Sequence, residues 1–405
     1  MKTNKEDINI FDGHFGLERE TLRINQAKTL APTAHPFKNP LLSRDFCENQ
    51  LEIITPVCQS IDETLQALEK LDTEARKKLD EMQETLWLYS NPPHFEVEDD
   101  IPVARYEKSL SHKHDYRLAL ERRYGKRLML YSGIHFNFSF TEENLKKAFS
   151  KSGQKDFQTF RSKLYLKLAK HMIKTSWLIV LLTAASPVFD RSLKKDHAKG
   201  LSFSGYASLR NSRLGYWNQF VPTLDFSSLK KYVESISYYI EKGLLFSASE
   251  LYLPIRLKSR GANSLKTLLE KGIDHIELRM FDLNPLEPLG IAKEDLAFAH
   301  LLLLYLAEKP DFVFTKKEQR NAVKHHKLAS LFALEKIKID GVPAKEAALK
   351  ILDDLKAYFS KLPRKKENLA IIAYERRKLE KLRLCEKIRT LAGKDYESIL
   401  NLRGK

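Results

Sequence analysis

Glu18 and Glu20 stand two residues apart in GLERETLRI, Glu52 lies in LEIIT, and His135 and Asn137 alternate with aromatics in IHFNFSF. Tyr252, Arg256 and Lys258 share ELYLPIRLKSR, and Glu277 and Arg279 share HIELRMFD. Each stretch reads as a strand with one apolar face and one face of acids, bases or amides. Antiparallel strands of this kind can form the wall of an open cavity. Carboxylates crowded on one wall repel each other and stay ionised together only with cations between them. Carboxylates with one histidine suit Mg²⁺ or Mn²⁺, and arginines with a lysine suit phosphate groups. Together they make a minimal set for phosphoryl transfer from ATP.

Each residue taken singly also has a structural reading. A Glu pair at i, i+2 is commonly an exposed strand face, and Glu277 with Arg279 is commonly a surface ion pair. A strand histidine is commonly a hydrogen-bonded core residue, and Tyr216 and Tyr252 commonly pack amphipathically. The combination carries the argument. No GxxxxGK[ST] string occurs and no kinase-type glycine loop stands out, so phosphate must be held another way.

The elements that position these residues alternate between period 2 and period 3.6, which indicates a mixed α/β or α+β protein. Strands are expected at Gly16–Ile24, within Asp45–Pro56, at Leu128–Phe140, Ser249–Lys258 and Ile273–Leu283. Helices are expected at Ser60–Leu88 with a Ser60/Glu63 capping box, and at Asp115–Tyr124, Glu142–Ser150, Phe157–Ala185 and Leu229–Lys242. Gly200–Asn218 reads as a polar loop, and the chain is helical from about Ala292.

The chain has 405 residues, 43% hydrophobic and 30% charged, which excludes wholesale disorder and permits a large core. Three cysteines, with no CxxC and no zinc spacing, form no disulfide framework. No signal-type apolar core opens the chain, and Trp177–Phe189 and Leu296–Ala307 fall short of the ~20 residues that span a bilayer. A cytoplasmic protein without a membrane partner is expected. The net charge is +16, and residues 361–405 carry 14 Lys/Arg against 6 Asp/Glu. This tail lacks interleaved stacking aromatics, so it reads as solvated helix faces and not as a nucleic-acid reader. An anionic substrate is a second reason for a basic balance.

GLERETLRI, the HP of His35–Pro36, DFCENQLEIITP, SGIHFNFSF, SLRNSRLGYWN, ELYLPIRLKSR and GIDHIELRMFDLNPLEPLG follow in fixed order. Over about Phe15 to Gly290 they resemble bacterial glutamate–cysteine ligases (γ-glutamylcysteine synthetases). The resemblance implies an α+β, glutamine-synthetase-like fold: a curved, mainly antiparallel sheet forming a funnel, helices outside, and a helical C-terminal part. It divides the chain into a catalytic core, 1–290, and a basic helical part, 291–405, packed on or continuous with it. It implies ATP-dependent joining of the L-glutamate γ-carboxylate to L-cysteine through γ-glutamyl phosphate, the first step of glutathione synthesis.

Residue roles follow from the same resemblance. Glu18, Glu20, Asp45, Glu52, His135 and Glu277 match metal positions; Asp45 enters by resemblance only. Arg279, beside Glu277, matches the arginine facing the transferred phosphoryl group. Arg256 and Lys258 match the phosphate end of the nucleotide site. Asn137 and Arg210 match contacts to the glutamyl group, Arg210 with a fork suited to a carboxylate. Tyr216 and Tyr252 match tyrosines on the acceptor carboxylate, and Phe46, Tyr116, Arg117 and Leu120 match the walls around the acceptor side chain. Met129 stands where a relative carries a polar residue, so a same-fold ligase with a different acceptor amine is the alternative. No second ATP-grasp unit follows, so a separate glutathione synthetase is the expected pathway partner.

Overall fold

The computed structural model describes residues 10–106, 111–194, 200–261, 264–392 and 396–400. Its main sheet contains β1 (Gly13–Ile24), β2 (Leu42–Arg44), β3 (Gln50–Ile54), β4 (Thr85–Trp87), β5 (Gly133–Phe140), β8 (Ile255–Lys258) and β9 (His275–Asp282). The order is β2-β3-β1-β5-β9-β8, with β4 beside the far end of β1, and every pairing is antiparallel. The sheet stays open, with β2 and β8 at its edges. Two small ribbons lie apart: β6 (Val188–Asp190) with β7 (Leu201–Phe203), and β10 (Lys338–Ile339) with β11 (Val342–Pro343). The fold is α+β.

The apolar face of the sheet, including Phe15, Leu17, Leu51, Ile53, Phe136, Phe138, Ile276 and Leu278, is buried under helices. α1 (Ile61–Glu81) starts where Ser60 Oγ accepts the Glu63 amide at 3.1 Å while Glu63 accepts from the Gln59 amide at 2.9 Å. Its buried stripe is Leu68, Leu71, Ala75 and Leu79, spaced to face one side. The sequence extends this helix to Leu88. Instead Gln83 takes φ +57, which ends it, and Thr85–Trp87 becomes β4 against Leu22–Ile24. A left-handed residue cannot continue a right-handed helix.

α2 (Ser111–Tyr124) and α3 (Glu142–Lys151) flank β5, and α4 (Phe157–Thr183) runs behind β8 and β9. The C-terminal half of α4 is buried almost all round, which explains its continuous apolar run. No helix among the described residues is long and apolar enough to cross a membrane. α5 (Leu229–Glu241) and α6 (Leu265–Lys271) follow.

Two expected strands are shorter than their apolar alternation suggests. Arg127–Leu130 is a turn of 3₁₀ helix, so β5 begins only at Gly133 and Met129 is not on a strand. Only Ile255–Lys258 of Ser249–Lys258 is strand, because Pro254 supplies no ladder donor. Tyr252 sits in the preceding loop, its amide donating to Asn218 Oδ1 at 2.9 Å.

After residue 292 come α7 (Lys293–Ala307), α8 (Lys316–Ala329), α9 (Ala344–Phe359), α10 (Lys365–Glu380), α11 (Leu384–Leu391) and α12 (Tyr396–Leu400), interrupted by the β10–β11 hairpin that the sequence reading does not anticipate. One apolar core runs from Phe11 to Leu379 and includes all of α7's buried leucines. Lys378 on α10 pairs with buried Asp295 on α7 and, at 2.9 Å, with Glu375. Breaking such a buried set would cost about 3–5 kcal/mol, so α10 is tied to α7 by charge as well as by packing.

Candidate active site

Register alone brings the chemistry-bearing residues together. Glu18 on β1 lies opposite His135 on β5, and Glu20 opposite Glu52 on β3. Glu277 on β9 lies between Asn137 on β5 and Arg256 on β8. Neighbours directly across an antiparallel pair have Cβ atoms about 4.5–5.5 Å apart. Five strands thus build one polar wall whose reverse is the apolar core.

A bulge refines the wall. Between Ile134 and Phe136 the β5–β9 register shifts, so that Arg279 and Met280 together oppose His135. Glu277 and Arg279 keep to the polar side while Phe281 turns into the core, the re-aiming that bulges provide.

At one end of the wall, ligand atoms of Glu18, His135 and Glu277 lie within 4.8 Å of one another. His135 Nδ1 is 3.2 Å from Glu18 Oε2 and 3.3 Å from Glu277 Oε1. Lys258 Nζ sits 3.2 Å from both Glu18 Oε1 and Glu277 Oε1, and Arg279 Nη1 is 2.8 Å from Glu277 Oε1. Arg256 Nη1 is 3.8 Å from Glu277 Oε2. Asn137 Nδ2 donates to Glu18 Oε1 at 3.3 Å. Burial and the Glu277 charge push the Glu18 carboxyl up, but the His135 hydrogen bond and Lys258 outweigh them and hold it at about 2. Burial also works against the Glu277 charge, yet Lys258, Arg279 and Arg256 keep its carboxyl well below the usual range.

At the other end are Glu20, Glu52 and Asp45. His135 Nε2 approaches Glu20 Oε1 at 3.4 Å, and Glu20 Oε2 accepts the Gly133 amide at 2.9 Å. Burial and Asp45 push the Glu20 carboxyl up to about 7, against the pull of Arg210 and Arg279. Burial, Asp45, Glu18 and Glu20 together push Glu52 well above the ordinary value. This end has too little positive charge for its acids.

The donor set fits a hard divalent cation: carboxylates and an imidazole, with buried His135 Nε2 and Glu277 Oε2 lacking hydrogen-bond partners among the described residues. Burial and Arg279 push His135 down to about 4, so near neutral pH its ring is the uncharged form that ligates metal.

Beside the wall, one cavity is lined by Glu20, Asp45, Met129, His135, Arg210, Tyr216, Tyr252 and Arg279. The rings of Tyr216 and Tyr252 have centroids 4.0 Å apart, and the Tyr252 side chain is buried. Phe46, Leu120, Met129 and Tyr252 form one buried apolar cluster, with Tyr116 packed against it. Phe46, Tyr116 and Leu120 back the cavity wall and do not line it.

Three of the expected residues are held by other groups of the protein. Arg117 faces Asp45, Nη2 to Oδ1 at 3.8 Å, and stacks on Tyr106 with 4.9 Å to the ring centroid. Lys258 lies between Glu18 and Glu277, within the acid cluster itself. Arg210 directs its terminal nitrogens at the carbonyls of Arg279 and Phe281, at 2.6 and 3.3 Å; each nitrogen keeps a second N–H for a ligand.

Sequence reasoning missed Tyr131, Asn211, Trp217 and His326, which also line the cavity. Asn211 and Trp217 flank Arg210 and Tyr216 in SLRNSRLGYWN and were legible by adjacency. His326 lies in the basic string KHHK of α8, and nothing local marks it.

The family model for glutamate–cysteine ligase matches residues 1–244 and 239–328. The chain belongs to the glutamate–cysteine ligase family. The glutathione biosynthesis bifunctional protein GshAB of Listeria monocytogenes is 38% identical over 400 residues, covering 93% of this chain and 52% of that protein. The protein of the same name from Streptococcus mutans is 33% identical over 403 residues, covering 97% of this chain and 50% of its own length. The chain therefore spans about half the length of these curated relatives. Among solved structures, a Francisella tularensis glutamate–cysteine ligase in complex with AMP superposes with TM-score 0.85 at 26% identity, covering 96% of this chain and 87% of that one. A bifunctional glutathione synthetase from Pasteurella multocida gives TM-score 0.83 at 28% identity, over 97% and 52% of the two chains.

Proposed function

We propose that this glutamate–cysteine ligase family member joins the γ-carboxylate of L-glutamate to the amine of L-cysteine at the cost of one ATP. The observation that carries the reading is the convergence of Glu18, His135 and Glu277 with Arg279 on one polar wall, with Glu20 and Glu52 beside them and Asp45 in the adjoining bend, next to a tyrosine-lined cavity. The γ-phosphoryl group of ATP passes to a γ-carboxylate oxygen, and ADP leaves. The amine nitrogen then forms a bond to the acyl carbon, and phosphate departs with the C–O electron pair and the former carboxylate oxygen. The nitrogen gives up a proton, and γ-glutamylcysteine remains.

Glu18, Glu20, Asp45, Glu52, His135 and Glu277 would hold Mg²⁺ or Mn²⁺, which supplies charge neutralisation at the phosphates when bound. Arg279 stabilises the equatorial oxygens of the transferring group. Arg256 and Lys258 hold the nucleotide's phosphate end, and Asn137 and Arg210 the glutamyl group. Tyr216 and Tyr252 present hydroxyls to the acceptor carboxylate, and the Phe46–Leu120–Met129 cluster backs the space for its soft thiol. Positioning supplies much of the acceleration, with no covalent enzyme intermediate.

We also propose that residues 1–290 form the catalytic core, that 291–405 form a helical part fused to it by the continuous apolar core, and that the enzyme works in the cytoplasm. Relatives named as bifunctional glutathione enzymes support the pathway, in which a glutathione synthetase activity would take the product onward. Met129 on the cavity wall favours a second reading, a ligase of the same chemistry with another acceptor amine.

The test is phosphate release by purified protein with Mg²⁺, ATP and glutamate, with each of several amines, followed by mass analysis. Cysteine-dependent release with γ-glutamylcysteine as product is expected. Preference for another amine would move the assignment to the second reading, and no release with any amine would remove both.

A further inference from the structure

Arg210 and Asn211 converge on three successive carbonyls of β9. Arg210 Nη2 donates to Arg279 O at 2.6 Å, Asn211 Nδ2 to Met280 O at 3.0 Å, and Arg210 Nη1 to Phe281 O at 3.3 Å. These carbonyls span the bulge that keeps Arg279 on the polar wall. The guanidinium lies where a side chain at 133 would be: a β-carbon on Gly133 would come within 2.3 Å of Arg210 Cζ.

Asn211 has only one workable orientation. Its Nδ2 faces Met280 O, Ser208 Oγ at 3.0 Å and Asp282 Oδ1 at 3.2 Å. Its Oδ1 therefore accepts, and its partner is His326 Nε2 at 3.1 Å. That fixes the tautomer with hydrogen on Nε2. Nδ1 is then an acceptor, 2.9 Å from Ser176 Oγ on α4, whose one hydroxyl proton it shares with Ile173 O, also at 2.9 Å. His326 is 1% exposed and comes from α8, beyond the proposed catalytic core.

We propose that His326 and Asn211 are positioning residues for Arg279. The relay from Ser176 through His326 and Asn211 to Met280 O locks the β9 bulge and so fixes the aim of the phosphoryl-facing arginine. The helical C-terminal part thereby completes the active site. The inference rests on the proposed ligase reaction for its functional consequence, but the relay itself is a property of the fold.

The test compares His326→Phe, which fills the space without a donor, with His326→Gln, whose amide can keep the donor to Asn211. His326→Phe should lower kcat for phosphate release about 10–100-fold while KM for ATP and glutamate moves less than about 3-fold. His326→Gln should recover most of the loss. Amide exchange in residues 275–282, measured without substrates, should quicken in His326→Phe and not in His326→Gln. Equal losses in the two variants, unchanged kcat in His326→Phe, or unchanged exchange would overturn the proposal. If His326→Phe fails to fold, Asn211→Ser removes the donor to Met280 O with His326 retained. Lowered kcat at constant KM is expected there, and unchanged kcat again overturns the proposal. An inactive wild type would sink the ligase reading instead, and exchange at β9 would still decide the relay.

Discussion

The two ends of the carboxylate wall differ in how their charge is met. Glu18 and Glu277 have protein cations against them: Lys258 touches both, and Arg279 and Arg256 reach Glu277. Glu20, Glu52 and Asp45 face each other with Arg210 and Arg279 near Glu20 and Arg117 near Asp45 as weaker compensation, and the Glu20 and Glu52 carboxyls are driven up. Burial desolvates both ends, so the partners decide the outcome. One end is electrostatically closed within the chain. The other favours protons in the isolated protein and gains most from an external divalent cation. His135 bridges the two with one ring nitrogen toward each.

The sharpest way to break this contrast is Glu52→Gln. Burial and the neighbouring acids raise this carboxyl well above its ordinary value, so the amide should leave folding intact while removing a proposed cation ligand. Ligation should fall by about 10³-fold or more, with an unchanged circular dichroism spectrum and thermal midpoint. Loss of fold alongside activity would make Glu52 structural.

Lys258→Met should turn the closed end into an open one. Without the ammonium, the Glu18 and Glu277 carboxyls rise, and kcat/KM for ATP should fall about 10–100-fold. Titration of Glu18 by NMR checks the electrostatic half: a carboxyl that stays near 2 would show that Lys258 is not what holds it down.

Stability against pH separates the ends by sign. Glu20 has its carboxyl raised from 4.5 to about 7, so the folded protein binds more protons than the unfolded chain between those values. Its contribution is full below about pH 4.5 and is lost as pH rises through 7, on the order of 3 kcal/mol. Glu18, held at about 2, contributes above its unfolded value and loses that as pH falls toward 2. Metal-free Glu20→Gln should therefore lose less stability than wild type between pH 4.5 and 7, in urea titrations at each pH. Parallel curves would contradict the contrast.

The smallest effect is expected away from both ends. Met129→Thr adds a hydroxyl to the cavity wall and should shift the ratio of kcat/KM between cysteine and other small amines by about 10-fold or less. A ratio that does not move would place Met129 outside acceptor selection.

Much of this wall was legible in the sequence because strand alternation is a local signal. Glu18, Glu20, Glu52, His135, Asn137, Glu277 and Arg279 sit on the expected polar faces, and cross-strand register does the rest. Asp45 was reachable only by family resemblance, since it lies in a bend between β2 and β3 where no period applies. Positive φ at Gln83 and the 3₁₀ turn at Met129 were hidden, because apolar spacing continues through both while the backbone changes course. The role of His326 was hidden for a different reason. It depends on a contact with Asn211 across 115 residues, and its sequence neighbours, His325 and Lys327, are half-buried polar residues that carry no sign of it.

The most direct test of the account uses L-glutamate labelled with ¹⁸O in the γ-carboxylate. Phosphoryl transfer to that carboxylate, followed by displacement by the amine, must leave one of its oxygens in the released phosphate. We predict one ¹⁸O per phosphate, in step with γ-glutamylcysteine formation. Product formed with unlabelled phosphate would contradict an acyl-phosphate route and, with it, the role assigned to the carboxylate wall and Arg279.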